Sequence, residues 1–197
     1  TLQFGIPNAA RARSLVAADP AVAAVLPRID FVGLASNGTK SVPYLGVGVD
    51  PEPEASATGA REMVVTGSYL SGDGGEGVLL GTGLAAALGA KPGDRITLMA
   101  TTPDGSLNAV DALVKGLVDV RIKELNDRYV AAGTGLVSRL LQTEATVSKL
   151  VVFLKPRSDE AAAAKRIGSA LTGAGYPVVI RGWRELALFY EQVKLLY

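Results

Sequence analysis

The chain has 197 residues, 48% apolar and 20% charged, and its 20 basic and 19 acidic side chains leave a net charge of +1. That balance suits a folded domain with a sizeable core and excludes the strong basic field of a nucleic-acid binder. Having neither His nor Cys, the chain cannot use thiolate or Ser-His-Asp chemistry, an imidazole switch, or zinc held by those ligands.

A chain without cysteine also suits an oxidising, exported setting. The sequence begins at Thr1 without an initiator Met, and it stops at Tyr197 inside a helical pattern that lacks a C-cap signal. It therefore reads as a segment of a longer protein. Its longest apolar runs, such as Val147–Leu154 with Lys149 inside, are too short to cross a bilayer.

In chain order, Asn8 is placed to cap a helix to about Asp19, with Ala9, Ala12, Leu15 and Val16 on one face. Ala21–Leu34 then reads as extended. Asn37-Gly38 signals a hairpin whose partner strand is Thr39–Val49. Asp50–Gly59 is rich in Pro, acids and small residues and reads as a linker between subdomains. Short strands are predicted at Glu62–Thr66 and Gly77–Leu80, and a short helix at Gly83–Leu88 closed by Gly89. Lys91-Pro92-Gly93-Asp94 has type II turn chemistry. Arg95–Ala100 and Ala109–Val120 form a hairpin around Pro103-Asp104-Gly105.

A strand at Tyr129–Ala132 precedes a helix at Gly135–Gln142 with Leu136, Val137, Leu140 and Leu141 inward. Val147–Leu154 reads as a buried strand, and Ser158 as the cap of an Ala-rich helix to Thr172. A strand at Pro177–Ile180 and an amphipathic helix at Trp183–Leu196 complete the pattern. No repeat of fixed period is evident. The fold class is α+β: two ends that form one split α/β sandwich, with 62–146 inserted.

Few residues suggest chemistry. Gly81-Thr82-Gly83-Leu84-Ala85-Ala86 follows a strand and opens a helix, the arrangement that lets a backbone approach a pyrophosphate. Asp104 lies about where a ribose-binding acid would stand. Against this, the helix is barely two turns long and the β-α alternation does not continue, so a plain strand-to-helix turn is the reading taken. Asp73 and Glu76 are too few for a calcium loop. Glu124 and Asp127 sit between Lys123 and Arg128 and read as a charged surface turn rather than an acid-base pair. Asn37-Gly38-Thr39 matches a glycosylation sequon but serves first as a turn. Trp183 and Tyr190 are expected to anchor the last helix to the sheet. No catalytic, cofactor-binding or metal-ligating residue is assigned.

Several stretches resemble one family. Met63–Leu70 is similar to a strand and turn of MacB-like periplasmic domains, and Gly77–Leu98 resembles the central signature of that domain. Ala112–Val120, Asn126–Ala132 and Leu136–Leu141 resemble the strands and short helix that follow, and Trp183–Tyr197 the exit into a membrane helix. The resemblance is to the extracytoplasmic domain of ABC-transporter permeases of the MacB/LolC-LolE (FtsX-like) type. It implies a porter-like α/β subdomain at 1–61 and 147–197 with ferredoxin-like halves, and an inserted, mostly β Sabre-like subdomain at 62–146. It implies a periplasmic domain of a bacterial inner-membrane protein that couples ATP-driven motion to export or release of lipoproteins, peptides or drugs. Its partners would be membrane helices of the same full-length chain, a cytoplasmic ABC ATPase, a second permease copy or paralogue, and a periplasmic cargo or carrier. No catalytic residue and no cofactor come with the family. The carrier-binding hook of the lipoprotein-releasing branch has only a short turn, Thr101–Ser106, in its place. A stand-alone extracytoplasmic binding or sensor module, and a dinucleotide-binding enzyme built on Gly81–Ala86, are the alternatives.

Overall fold

The computed structural model describes residues 5–72, 75–183 and 185. In chain order the elements are α1 (Ala9–Ala17), β1 (Val22–Ser36), β2 (Ser41–Val49), α2 (Pro51–Thr58), a 3-10 turn (Ala60–Met63), β3 (Val64–Gly67) and β4 (Gly77–Gly81). There follow α3 (Thr82–Leu88), β5 (Arg95–Thr101), β6 (Leu107–Val118), α4 (Lys123–Asn126), β7 (Tyr129–Gly133), α5 (Thr134–Leu141), β8 (Lys149–Leu154) and α6 (Glu160–Gly173).

Six strands close into a barrel in the order β1-β2-β7-β4-β6-β5, with β5 returning to β1. Pairing is antiparallel except between β2 and β7 and between β4 and β6, which run parallel. Alternation supplies the inner surface. On β1, Ile29, Phe31 and Ala35 are buried while Asp30, Val32 and Leu34 are exposed. The Phe31 ring meets the Tyr44 ring edge-on, with centroids 5.4 Å apart. Leu84 and Leu88 of α3 and Leu136 and Leu140 of α5 join this core with no exposed surface. Each such side chain stabilises the fold by roughly 1.5–3 kcal/mol through burial. Closure also joins what would otherwise be the two open edges of the six-stranded sheet.

The barrel repeats itself, although the sequence has no repeat of fixed period. Exchanging β1 with β5, β2 with β6 and β4 with β7 maps every pairing onto another of the same sense. The two parallel pairings are equivalent under this exchange, and β4 and β7 cross at Leu79 and Ala131. Gly-Thr-Gly-Leu occurs at both equivalent strand-to-helix junctions, 81–84 and 133–136. Unequal connections, with α2 and β3 in only one half, hide the repeat from a search at fixed period.

A second apolar layer lies outside β4 and β7. Leu79, Ala131, Val49 and Val118 are covered there by Leu70, Met63, Val64 and Tyr69. Burial pushes the Tyr69 hydroxyl up to about 12, helped by the charge of Glu54, and burial raises Tyr129 as well. A tyrosine raised in the folded state stabilises the fold fully below its unfolded pKa and loses that contribution as pH rises through the folded value. Stability is therefore expected to fall between pH 10.0 and about 12. Replacing Tyr69 with Phe should flatten that fall, as read by urea unfolding across the range.

The chain divides into two compact units. One comprises 1–9 and 26–151 and holds the barrel; the other comprises 10–25 and 152–197. In the second, Arg166 donates from Nε and Nη2 to Asp19 at 2.7 and 2.9 Å, holding the Asp19 carboxyl below its usual range. Asp159, not Ser158, caps α6 by accepting from the Ala162 amide at 3.0 Å.

The linker expected at Asp50–Gly59 is helix α2. Pro51 and Pro53 fall in its first turn, where backbone N–H groups have no helical partner, so the prolines start a helix there. Residues 26–61 lie in the barrel unit because the β1–β2 hairpin completes its wall, so the compact units do not part at that segment. Of the strand expected at Val147–Leu154, Val147 is buried, but β8 itself is half-buried from Leu150 to Leu154. Pro177–Ile180 forms no strand; Pro177 lacks a donor and Val178 bonds back to Tyr176. The hairpin tip is a four-residue loop in which the Asn37 side chain accepts from the Thr39 and Lys40 amides at 2.9 and 2.7 Å. Of the helix expected at Trp183–Leu196, only Trp183 and Glu185 lie within the described residues.

Candidate functional site

The junction of β4 and α3 is the place where the sequence carries a phosphate-binding pattern. Gly81 ends β4 beside Val118 of β6, and Thr82 opens α3. After β6 the chain turns through α4, and Asn126 and Asp127 come to lie against this junction. Asn126 donates from Nδ2 to the Thr82 hydroxyl at 2.5 Å. A β-carbon on Gly81 would collide with the Asn126 carbonyl oxygen, and one on Gly83 with the Asp127 carboxylate. The glycines are thus required by close approach of the protein's own atoms, the Asn126 backbone at Gly81 and the Asp127 side chain at Gly83. A pyrophosphate would have to occupy space already held by Asn126 and Asp127, and it would meet a carboxylate.

Asp104 does not serve this junction. It lies in the turn between β5 and β6, at the opposite end of β6 from Val118, roughly 35 Å along the strand. There it accepts from Thr102 and Ser106, and the Thr102 hydroxyl holds its carboxyl below the usual range. The Asp127 carboxylate accepts from Lys123 at 2.6 Å across one helical turn, raising the Lys123 ammonium. Glu124 is exposed, as a charged surface turn requires.

The other candidates are equally ordinary in their surroundings. Glu76 pairs with Arg95 at 3.0 Å, and Asp73 lies outside the described residues. Among the described residues no three acidic groups come together in a way that could hold a metal ion. The Asn37 amide donates to the Leu88 carbonyl at 2.6 Å, tying the hairpin tip to the end of α3. Trp183, expected to anchor the last helix to the sheet, is 65% exposed. Tyr190 lies outside the described residues. The junction equivalent to Gly81–Gly83, at Gly133–Gly135, borders a shallow recess with Asp50, Leu70 and Ser71. This recess was not foreseen, and only the internal repeat points to it.

No protein-family profile and no curated protein matches the chain. Solved structures do. The periplasmic region of MacB from Actinobacillus actinomycetemcomitans matches with a TM-score of 0.63 at 14% identity, over 84% of this chain and 73% of that one. The extracellular domain of the noncanonic ABC-type transporter YknZ from Gram-positive bacteria matches with 0.65 at 10% identity, over 84% and 83%. A domain assigned to a permease protein from Porphyromonas gingivalis matches with 0.54 at 12% identity, over 86% and 71%.

The fold is that of extracytoplasmic domains of ABC-type permeases. The MacB-like likeness read from Gly77–Leu98 is therefore met by the three-dimensional fold. Within that fold the Gly81–Gly83 junction is a structural turn. The link between β5 and β6 is confined to residues 102–106, so no long hook projects there. No helix among the described residues is long and apolar enough to cross a membrane.

Proposed function

We propose that this chain is the extracytoplasmic domain of an ABC transporter permease, and that it passes ATP-driven motion of membrane helices to export or release of a cargo. The observation that supports this most is the shared fold over more than four-fifths of the chain with domains described as parts of MacB, YknZ and a permease. In this reading the barrel unit takes the Sabre-like role and the unit of 10–25 and 152–197 the porter-like role. The boundary read from sequence at residues 61 and 62 then moves to 25 and 26. The domain has no reaction of its own; hydrolysis belongs to a separate ATPase, and a second permease copy or paralogue completes the transporter. The dinucleotide-enzyme alternative is disfavoured by the Asn126 and Asp127 atoms packed on Gly81 and Gly83.

The chain has no cysteine, so one introduced thiol is a unique label. Ser106, exposed in the turn between β5 and β6, is a suitable position. In the full-length protein, reconstituted with its ATPase, a dye on Ser106→Cys is expected to change emission when ATP is added. The change should vanish with an ATPase that cannot bind nucleotide. A full-length protein with no apolar span of about twenty residues, or a dye signal indifferent to ATP, would overturn the proposal.

A further inference from the structure

Charge is divided unevenly between the two compact units. The unit of 10–25 and 152–197 carries nine basic and five acidic residues, against eleven and fourteen in the barrel unit. A nearly neutral chain is thus built from parts of net charge +4 and −3. Such segregation creates a local field that the total charge conceals. In the basic unit, Asp19 is engaged by Arg166 and Asp159 by the start of α6. Lys155, Arg157, Lys165 and Arg181 are all exposed.

The same unit displays apolar side chains to solvent. Val179 is 82% exposed, Trp183 65% and Ile180 39%. They fall within five residues, with Arg181 among them. Ile180 lies close to Gly168 and Gly182 close to Glu160, so the segment runs along α6. An exposed Trp and aliphatic side chains interleaved with arginine, on a unit of positive charge, have the composition of an interfacial membrane contact. The aliphatic groups enter the headgroup boundary and the cations meet lipid phosphates.

We infer that the unit of 10–25 and 152–197 docks on an anionic lipid bilayer surface. Val179 and Trp183 form the inserted tip; Arg157, Lys165 and Arg181 provide the cations. An acidic protein would meet the same charges; vesicles that contain lipid alone separate the two, because only a lipid surface can bind the unit there. The inference does not depend on the transport reading, and its test uses no nucleotide.

Trp183 is the only Trp, so its fluorescence reports on this segment alone. The 197-residue chain would be mixed with vesicles of phosphatidylglycerol and phosphatidylcholine, and with vesicles of phosphatidylcholine only. Co-sedimentation with the anionic vesicles is expected, with a blue shift of Trp183 emission and weakening as salt is raised. Arg181→Glu should weaken binding roughly tenfold or more, since each basic residue near an anionic surface matters. Val179→Ser should weaken it several-fold; both positions are exposed, and unchanged thermal unfolding would show the variants folded. Failure to bind anionic vesicles, equal binding to neutral ones, or binding with unshifted emission would each overturn the inference.

Discussion

Replacing Gly81 with alanine is expected to lower stability by about 3 kcal/mol, whereas the same change at Gly133 should leave it nearly unaltered. The two residues occupy equivalent places in the repeated barrel and have almost the same backbone: φ −60 and ψ 142 at Gly81, φ −64 and ψ 143 at Gly133. Alanine accepts that conformation without strain, so conformational freedom does not separate them. Their surroundings do. The new methyl at Gly81 overlaps the Asn126 carbonyl oxygen, a backbone atom that cannot swing away, while at Gly133 nothing lies within 4 Å. To make room, the turn through α4 must move, and with it the Asn126 bond to Thr82. Thermal and urea unfolding of the two variants decide the matter. A melting temperature lower by roughly 6–12 °C for Gly81→Ala alone is the expected result for a chain of this size. If both variants are neutral and Gly81→Ala instead weakens binding of a dinucleotide, the glycine serves a ligand and the structural account of this junction fails.

Removing the Arg28 charge is expected to cost about 3 kcal/mol, through the partner left behind. Arg28 donates to Glu54 from Nη2 at 2.5 Å and from Nε at 3.3 Å, joining β1 to α2. The Glu54 side chain is only 8% exposed, so Arg28→Met leaves a carboxylate with little access to water and no guanidinium beside it. The double variant Arg28→Met with Glu54→Met removes both charges and should recover most of the loss, because paired burial of ions offsets desolvation rather than exceeding it. Urea unfolding of the two single variants and the double variant gives the coupling directly. A loss of under 0.5 kcal/mol for Arg28→Met would put this pair among ordinary surface ion pairs. The stake is larger than one contact, because α2 leads into the segment that covers Leu79 and Ala131.

Sequence by itself determined the local elements and their inward faces. Leu136, Val137, Leu140 and Leu141 recur at helical spacing and are buried together on α5; Ile96, Leu98 and Ala100 alternate and are buried on β5. Gly89 and Gly93 mark a helix end and a turn because both need positive φ, which they have at 69 and 96 degrees. These signals arise from a residue and its near neighbours, so they survive without knowledge of the fold. The resemblance at Gly77–Leu98 reached the fold family for the same reason, since it lies in one continuous stretch. The start of α2 was also written locally, in Pro51 and Pro53, but prolines serve linkers and helix starts alike.

Tertiary structure alone decided the rest. Periodicity says that a face is buried, not what covers it. Closure of the barrel depends on parallel pairings, β2 with β7 and β4 with β6, between strands far apart in the chain. Those pairings place 26–61 in the barrel unit. They also bring Asn126 and Asp127 onto Gly81 and Gly83. A glycine needed for a phosphate and a glycine needed for a neighbouring carbonyl are the same letter in a sequence. Only the atoms packed against it tell them apart.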